Sequence, residues 1–145
     1  MNVKFKKLRA GARIPRYETE DAAGMDICYA GDEKLVIKKG EIKKVPSGIA
    51  VEAEERNVVI LLYARSGLSL KGLSMANGVG VIDSDYRGEI ICPMINLGDE
   101  DYTIEPGERI GQIVFTPVIR AMAEEAEEIG ETKRGTGGFG STGRK

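Results

Sequence analysis

Histidine does not occur in this chain of 145 residues, and neither does tryptophan. Without an imidazole there is no histidine base, no Ser–His nucleophile pair and no His-ligated metal. Cysteine is scarce. Cys28 and Cys92 are the only two, too few to build a zinc site alone. Each lies in an apolar setting, Asp26-Ile27-Cys28-Tyr29 and Ile90-Ile91-Cys92-Pro93, and reads as a small buried hydrophobe. In an intracellular chain such a pair stays as thiols. No apolar run approaches the ~20 residues of a membrane span, and Met1-Asn2-Val3-Lys4 lacks the apolar stretch of a signal peptide. Neither sign of charge dominates: the formal net charge is −2, which argues against a general nucleic-acid binder. The expectation is a soluble, cytoplasmic protein with no membrane or nucleic-acid partner. If it is an enzyme, its base is a carboxylate and any metal is a hard cation held by oxygen.

What is present points to one β-rich domain. The length suits a single core, and 41% hydrophobic residues are enough to fill it, which excludes a disordered chain. Glycine occurs 19 times, well above the usual ~7%, and punctuates short β-rich runs. These are Val3 to Leu8, Leu35 to Ile37, Ile42 to Val51, Asn57 to Tyr63, Glu89 to Leu97, Tyr102 to Ile104 and Arg109 to Val118. Alternation and Val/Ile content read as strands. Lys38-Lys39-Gly40-Glu41 and Asn96-Leu97-Gly98-Asp99 read as turns between paired strands. No strand–helix alternation appears, so the fold expected is all-β: a sandwich, barrel or jelly roll. The basic residues Lys4, Lys6, Lys7, Arg9, Arg13 and Arg16 gather at the N-terminus. Alternation with Val3, Phe5 and Leu8 makes them the solvated face of a strand. Ala121 to Ile129 disagrees, since its helix formers predict a short acidic helix. From Arg134 to Gly143 the composition is that of a flexible Gly-rich tail.

Three constellations carry possible chemistry. Arg65-Ser66-Gly67 follows an apolar run. Arginine offers phosphate oxygens a fork of donors, serine adds a hydroxyl, and glycine lets backbone N–H groups approach. By itself the triplet is commoner as a strand end than as a phosphate site. Gly78 to Gly88 is richer: an apolar ladder delivers Asp83, and a turn with Ser84 and Asp85 presents Tyr86. Asp83 could activate a water and Tyr86 could lie flat on a sugar. Equally, Asp83 and Asp85 could hydrogen-bond the turn backbone. Asn77 could read a base edge with both donor and acceptor. In Arg109-Ile110-Gly111-Gln112, period-two alternation predicts that Gln112 faces opposite to Arg109. A buried glutamine with backbone partners is the plain alternative.

In chain order, Ala22-Ala23-Gly24-Met25-Asp26-Ile27, Arg65-Ser66-Gly67-Leu68, Asn77 through Gly88, Gly107-Glu108-Arg109-Ile110-Gly111-Gln112 and Arg134 through Gly143 resemble the five ordered motifs of the trimeric dUTP diphosphatases (dUTPases). The resemblance runs from about residue 22 to 143. The third and fifth motifs are its most specific parts. The chain departs from the family pattern at Ala64, where a proline is usual, and at Ser69 and Gly111, where alanine is common.

The resemblance implies a jelly roll, a distorted β-barrel, over residues 1–133. A Gly-rich arm, residues 134–145, closes over the nucleotide, and Ala121 to Ile129 is extended despite its propensity. It implies a homotrimer whose sites are shared between chains. The implied reaction is hydrolysis of dUTP to dUMP and pyrophosphate, which limits uracil in DNA and supplies dUMP for thymidylate synthesis. Asp83 is then the base for the attacking water, with Gln112 and Arg65 as its catalytic companions. Ser66 and Gly67 hold the α/β-phosphate bridge. Asn77, Gly80, Val81, Ile82 and Ile91 recognise uracil, and Tyr86 packs under the deoxyribose and excludes a 2′-hydroxyl. In the arm, Phe139 stacks on uracil while Arg134, Gly140, Ser141 and Thr142 grip the γ-phosphate end. Asp26 and Arg109 support the site. Mg2+ is the implied cofactor, held mainly by substrate phosphates and waters, with Asp26 near it. A dCTP deaminase-like enzyme and a noncatalytic nucleotide-binding protein on the same fold are the alternatives.

Overall fold

Apolar runs separated by glycine turns do become strands. The computed structural model describes residues 1–138. These form eleven strands and one short helix: β1 (Val3–Lys7), β2 (Met25–Cys28), β3 (Leu35–Ile37), β4 (Ile42–Pro46), β5 (Ile49–Ala53), β6 (Val58–Tyr63), α1 (Ser66–Ser69), β7 (Leu73–Met75), β8 (Gly80–Ile82), β9 (Ile91–Asn96), β10 (Tyr102–Ile104) and β11 (Arg109–Pro117). Every ladder is antiparallel. The sheets run β2-β11-β6-β8, β4-β9-β7, β1-β5 and β10-β3. The fold is the expected all-β jelly roll. Among the described residues no helix is long and apolar enough to cross a membrane.

β6 shows how the sequence drives this. In Val58–Tyr63 every second residue is buried, so Ile60 and Leu62 enter the core with Ile27, Ile113, Met94 and Leu73 from neighbouring strands. Cys92 lies in the same cluster at 0% exposure, and Cys28 is half-buried; both are free thiols. Burial pushes the Cys92 thiol up to about 12.

Several expectations are corrected. The run Ile42 to Val51 is two strands, broken where Gly48 takes φ +65°. β4 pairs with β9, whereas β5 pairs with β1. Val/Ile content cannot reveal a change of sheet inside a run. The turns at residues 38–41 and 96–99 do not join paired strands either, because β3 pairs with β10 and β4 with β9. They are two corners laid side by side. Turn chemistry marks where the chain reverses, not which strand becomes its partner. Ala121 to Ile129 forms neither helix nor strand, and residues 119–136 are exposed throughout. Nine residues of good propensity make a marginal helix without a packed face, and no ladder among the described residues takes the segment as a strand.

Asn96, fully buried, fastens the two corners. Its Nδ2 donates to the Ile37 carbonyl at 3.0 Å and the Glu100 carbonyl at 2.8 Å, and its Oδ1 accepts from the Gly98 N–H at 2.9 Å. Asn96→Ala removes all three bonds and leaves buried backbone groups unpaired, at about 1–3 kcal/mol for such a group. The expected result is a loss of roughly 2–4 kcal/mol, read as a lower urea midpoint at unchanged slope.

Candidate active site

Two depressions receive the residues that the sequence marks. The smaller, about 270 Å³, is lined by Asn77, Gly80, Val81, Ile82, Asp83, Tyr86 and Ile91, together with Leu62, Glu89, Ile90 and Pro93. β8 forms one wall. A Cβ on Gly80 would come to 3.0 Å from the Leu62 Cβ, so the glycine lets β8 lie close on β6. The turn after β8 closes with the Tyr86 N–H donating to the Asp83 carbonyl at 3.1 Å. Asp83 is exposed at the mouth. Neither Asp83 nor Asp85 is spent on capping the turn. Instead Ser84 Oγ donates to the Arg56 carbonyl at 3.2 Å, and Arg87 Nη1 donates to the carbonyls of Ser84 (2.8 Å) and Tyr86 (3.0 Å). Among the described residues no hydrogen bond or ion pair engages the Asp83 carboxylate. It is therefore available to a water.

The larger depression, about 980 Å³, gathers six cationic side chains (Lys7, Arg13, Arg16, Arg65, Lys71, Arg109) against three carboxylates, Glu18, Asp26 and Glu108. That excess suits a polyanion. Asp26, its side chain 13% exposed, divides its oxygens between two guanidiniums: Oδ1 to Arg65 Nε at 3.0 Å and Oδ2 to Arg109 Nη1 at 3.0 Å. Glu18 and Arg16 extend the chain of charges. Glu18 Oε2 stands 3.7 Å from Arg109 Nη1, and Glu18 Oε1 is 3.0 Å from Arg16 Nε. The hydrogen bond from Arg16 holds the Glu18 carboxyl below its usual range. Burial pushes the Cys28 thiol beside this network up, so at neutral pH it is protonated.

The register of β11 corrects one expectation about this site. Arg109 lies opposite Cys28, yet Gln112 lies opposite Asp26, with a bulge between Arg109 and Gly111. Cys28 and Asp26 are two residues apart and share a face. The extra residue therefore brings Arg109 and Gln112 to the same side, where simple alternation would separate them. Gln112 Nε2 donates to the Ala64 carbonyl at 3.3 Å. Its Oε1 lies where a Cβ on Gly24 would meet it at 2.9 Å, which explains a glycine there. Arg65 precedes α1 in extended backbone (φ −87°, ψ 138°), and its carbonyl accepts from Leu68 and Ser69. The amides of Ser66 and Gly67 stand before those first helical bonds, on an exposed surface with open space around Gly67.

Arg65 and Asp26 thus stand together in the larger depression, with Gln112 paired opposite Asp26 on β11. Asp83, Tyr86, Asn77 and Ile91 form a second group, in a different depression. Arg134 joins neither; it is exposed, and its Nε donates to the Gly137 carbonyl at 2.8 Å. Phe139, Gly140, Ser141 and Thr142 lie outside the described residues. Lys7, at the end of β1, and Arg13 and Arg16, beyond it, are exposed as expected and also line the basic depression. Lys71 and Glu18 had no signal in the sequence, because only the folding of distant loops onto β2 and β11 brings them there.

The family model for dUTPase matches residues 10–143. The chain belongs to the dUTPase family. Among curated relatives, deoxyuridine 5′-triphosphate nucleotidohydrolase of Desulfitobacterium hafniense (strain DSM 10664 / DCB-2) is 49% identical over 132 residues, covering 90% of this chain and 87% of that one. The protein of the same name from Rickettsia felis is 46% identical over 143 residues, covering 97% and 96%. The dUTPase of Staphylococcus bacteriophage 80alpha, solved with dUpNHpp, superposes at a TM-score of 0.89 with 29% identity, covering 98% of each chain.

Proposed function

We propose that this dUTPase cleaves dUTP, in the cytoplasm, by in-line attack of water on the α-phosphorus, with Asp83 as the base. One observation carries the reading: an unengaged carboxylate stands at the mouth of a small apolar cavity in a chain that has no histidine. Uracil enters between Asn77, Val81 and Ile91, and Tyr86 floors the deoxyribose. Asp83 Oδ takes the proton of the water that Gln112 helps to orient. Arg65, with the amides of Ser66 and Gly67, receives charge developing on the phosphate oxygens. Asp26 keeps Arg65 and Arg109 aimed by filling one edge of each guanidinium. The leaving pyrophosphate departs on the basic side.

The residues suit a magnesium ion of a particular kind. Among the described residues no three carboxylates or thiols converge, so no protein cage exists. Oxygen donors of the triphosphate and waters would dominate the coordination, with the remaining lone pairs of Asp26 receiving a metal-bound water. When bound, the ion supplies charge neutralisation to the phosphates.

The complete site takes more than one copy of the chain, in a homotrimer. Two features support this. The nucleoside and phosphate groups line separate depressions of one chain, and the segment after β11 leaves Ile119, Met122 and Ile129 more than nine-tenths exposed. That segment continues into the arm, residues 134–145, which closes over the nucleotide held by other copies. Pyrophosphate release is the test, with dUTP, dCTP, dTTP and UTP as substrates, with and without Mg2+. Mg2+-dependent release from dUTP alone is the expected result. Release of ammonia from dCTP would establish the deaminase instead, and binding of dUTP without cleavage would leave only a nucleotide-binding scaffold.

A further inference from the structure

Tyr86 is nearly half exposed, yet the far end of its ring is held twice. Its Oη donates to the Glu89 carbonyl at 3.1 Å. The distal edge lies directly on Gly88, where a Cβ would come to 2.5 Å from the ring Cζ and 2.9 Å from Cε2. Gly88 is not among the positive-φ glycines, so its missing side chain serves the ring and not the backbone. The backbone beneath is held in turn. Glu89 Oε1 accepts from the Gly48 N–H at 2.7 Å and Oε2 from Arg9 Nη2 at 2.9 Å. The Ile90 N–H donates to the Ile49 carbonyl at 2.8 Å, and the Ile90 carbonyl accepts from Ser47 Oγ at 2.6 Å. On the other side Arg87 grips the Tyr86 carbonyl.

We propose that Gly88, with the anchored Glu89 carbonyl, is a specificity-determining seat for Tyr86: it fixes the height of the ring and so sets how strictly a 2′-hydroxyl is refused. This rests on the reading of Tyr86 as the floor of the sugar. A purely steric wall rejects one added oxygen only as far as it cannot yield, and an added group in a pocket is discriminated by about 10–200-fold. That rejection survives only if the wall's rotamer is locked by packing and hydrogen bonds around it. Here the two contacts on the far end of the ring are made by Gly88 and the Glu89 carbonyl. Because the atoms that a Gly88 methyl would strike belong to the far end of the Tyr86 side chain, the substitution displaces the ring, breaks the Oη bond and leaves the main chain in place.

The experiment measures kcat/KM for dUTP and UTP in wild type, Gly88→Ala, Tyr86→Ala and the double variant. Gly88→Ala is expected to lower the dUTP:UTP ratio by about tenfold. Tyr86→Ala should lower it at least as far, and adding Gly88→Ala to it should change the ratio no further, since the partner of the contact is gone. Tyr86→Phe, which adds no atom and removes only the Oη bond, should lower it by roughly threefold. A ratio within twofold of wild type in Gly88→Ala, or an equal further loss in the double variant, overturns the seat. Failure of the underlying reading looks different: wild type would not cleave dUTP, or Tyr86→Ala would leave the ratio unchanged.

Discussion

Asp83→Asn is expected to lower kcat for dUTP by about 10²–10⁴-fold, the contribution of a positioned general base. The substitution keeps the shape of the side chain and removes its basicity. The site is exposed and no ion pair among the described residues depends on the carboxylate, so stability should stay within about 0.5 kcal/mol of wild type. Affinity for a nonhydrolysable dUTP analogue should also persist, because the base acts on the transition state and not on the bound substrate. Rapid-quench measurement of pyrophosphate release, paired with calorimetric titration of the analogue, separates the two quantities. A fall in kcat of less than tenfold would remove Asp83 from the role of base, and no histidine exists to inherit it.

Deleting residues 134–145 is expected to cut kcat/KM by about 10²-fold while leaving the fold intact. The chain from 119 to 136 is exposed and adds nothing to the core, so thermal unfolding should shift little. Charge-assisted contacts such as Arg134 would make to a phosphate contribute about 1.5–3 kcal/mol each. Losing even two of the weaker ones costs roughly two powers of ten. The proposed sharing of sites between copies makes a sharper version of the same experiment. The truncated chain and full-length Asp83→Asn are each expected to be poorly active. Refolded together, they should recover activity, because some sites then pair an intact Asp83 with an intact arm from another copy. Mixtures no more active than the sum of the separate proteins would place both elements in one chain's site.

Much of this was legible in the residues themselves. The lack of histidine removes the commonest general base whatever the fold, which points to a carboxylate. The runs at Leu35–Ile37 and Tyr102–Ile104 became strands with the expected bounds, because strong β-formers between turn residues leave the backbone few choices. The third motif carries Asn77, Asp83 and Tyr86, and these line one depression together with Ile91. Other features depend on long-range pairing. Which strand accepts which, the division of Ile42 to Val51 between two sheets, and the side on which Gln112 emerges were settled by ladders between residues 19 to 88 positions apart. The bulge at Arg109–Gly111 shows the limit most clearly, since an extra residue inverts the alternation while leaving the local sequence as plausible as before. The family resemblance groups Asp26, Arg65 and Arg109 at one site, but their spacing in the chain shows no contact between them. Only the close approach of β2, β11 and the start of α1 makes them one network, because an ion pair needs contact distance and the sequence records only order.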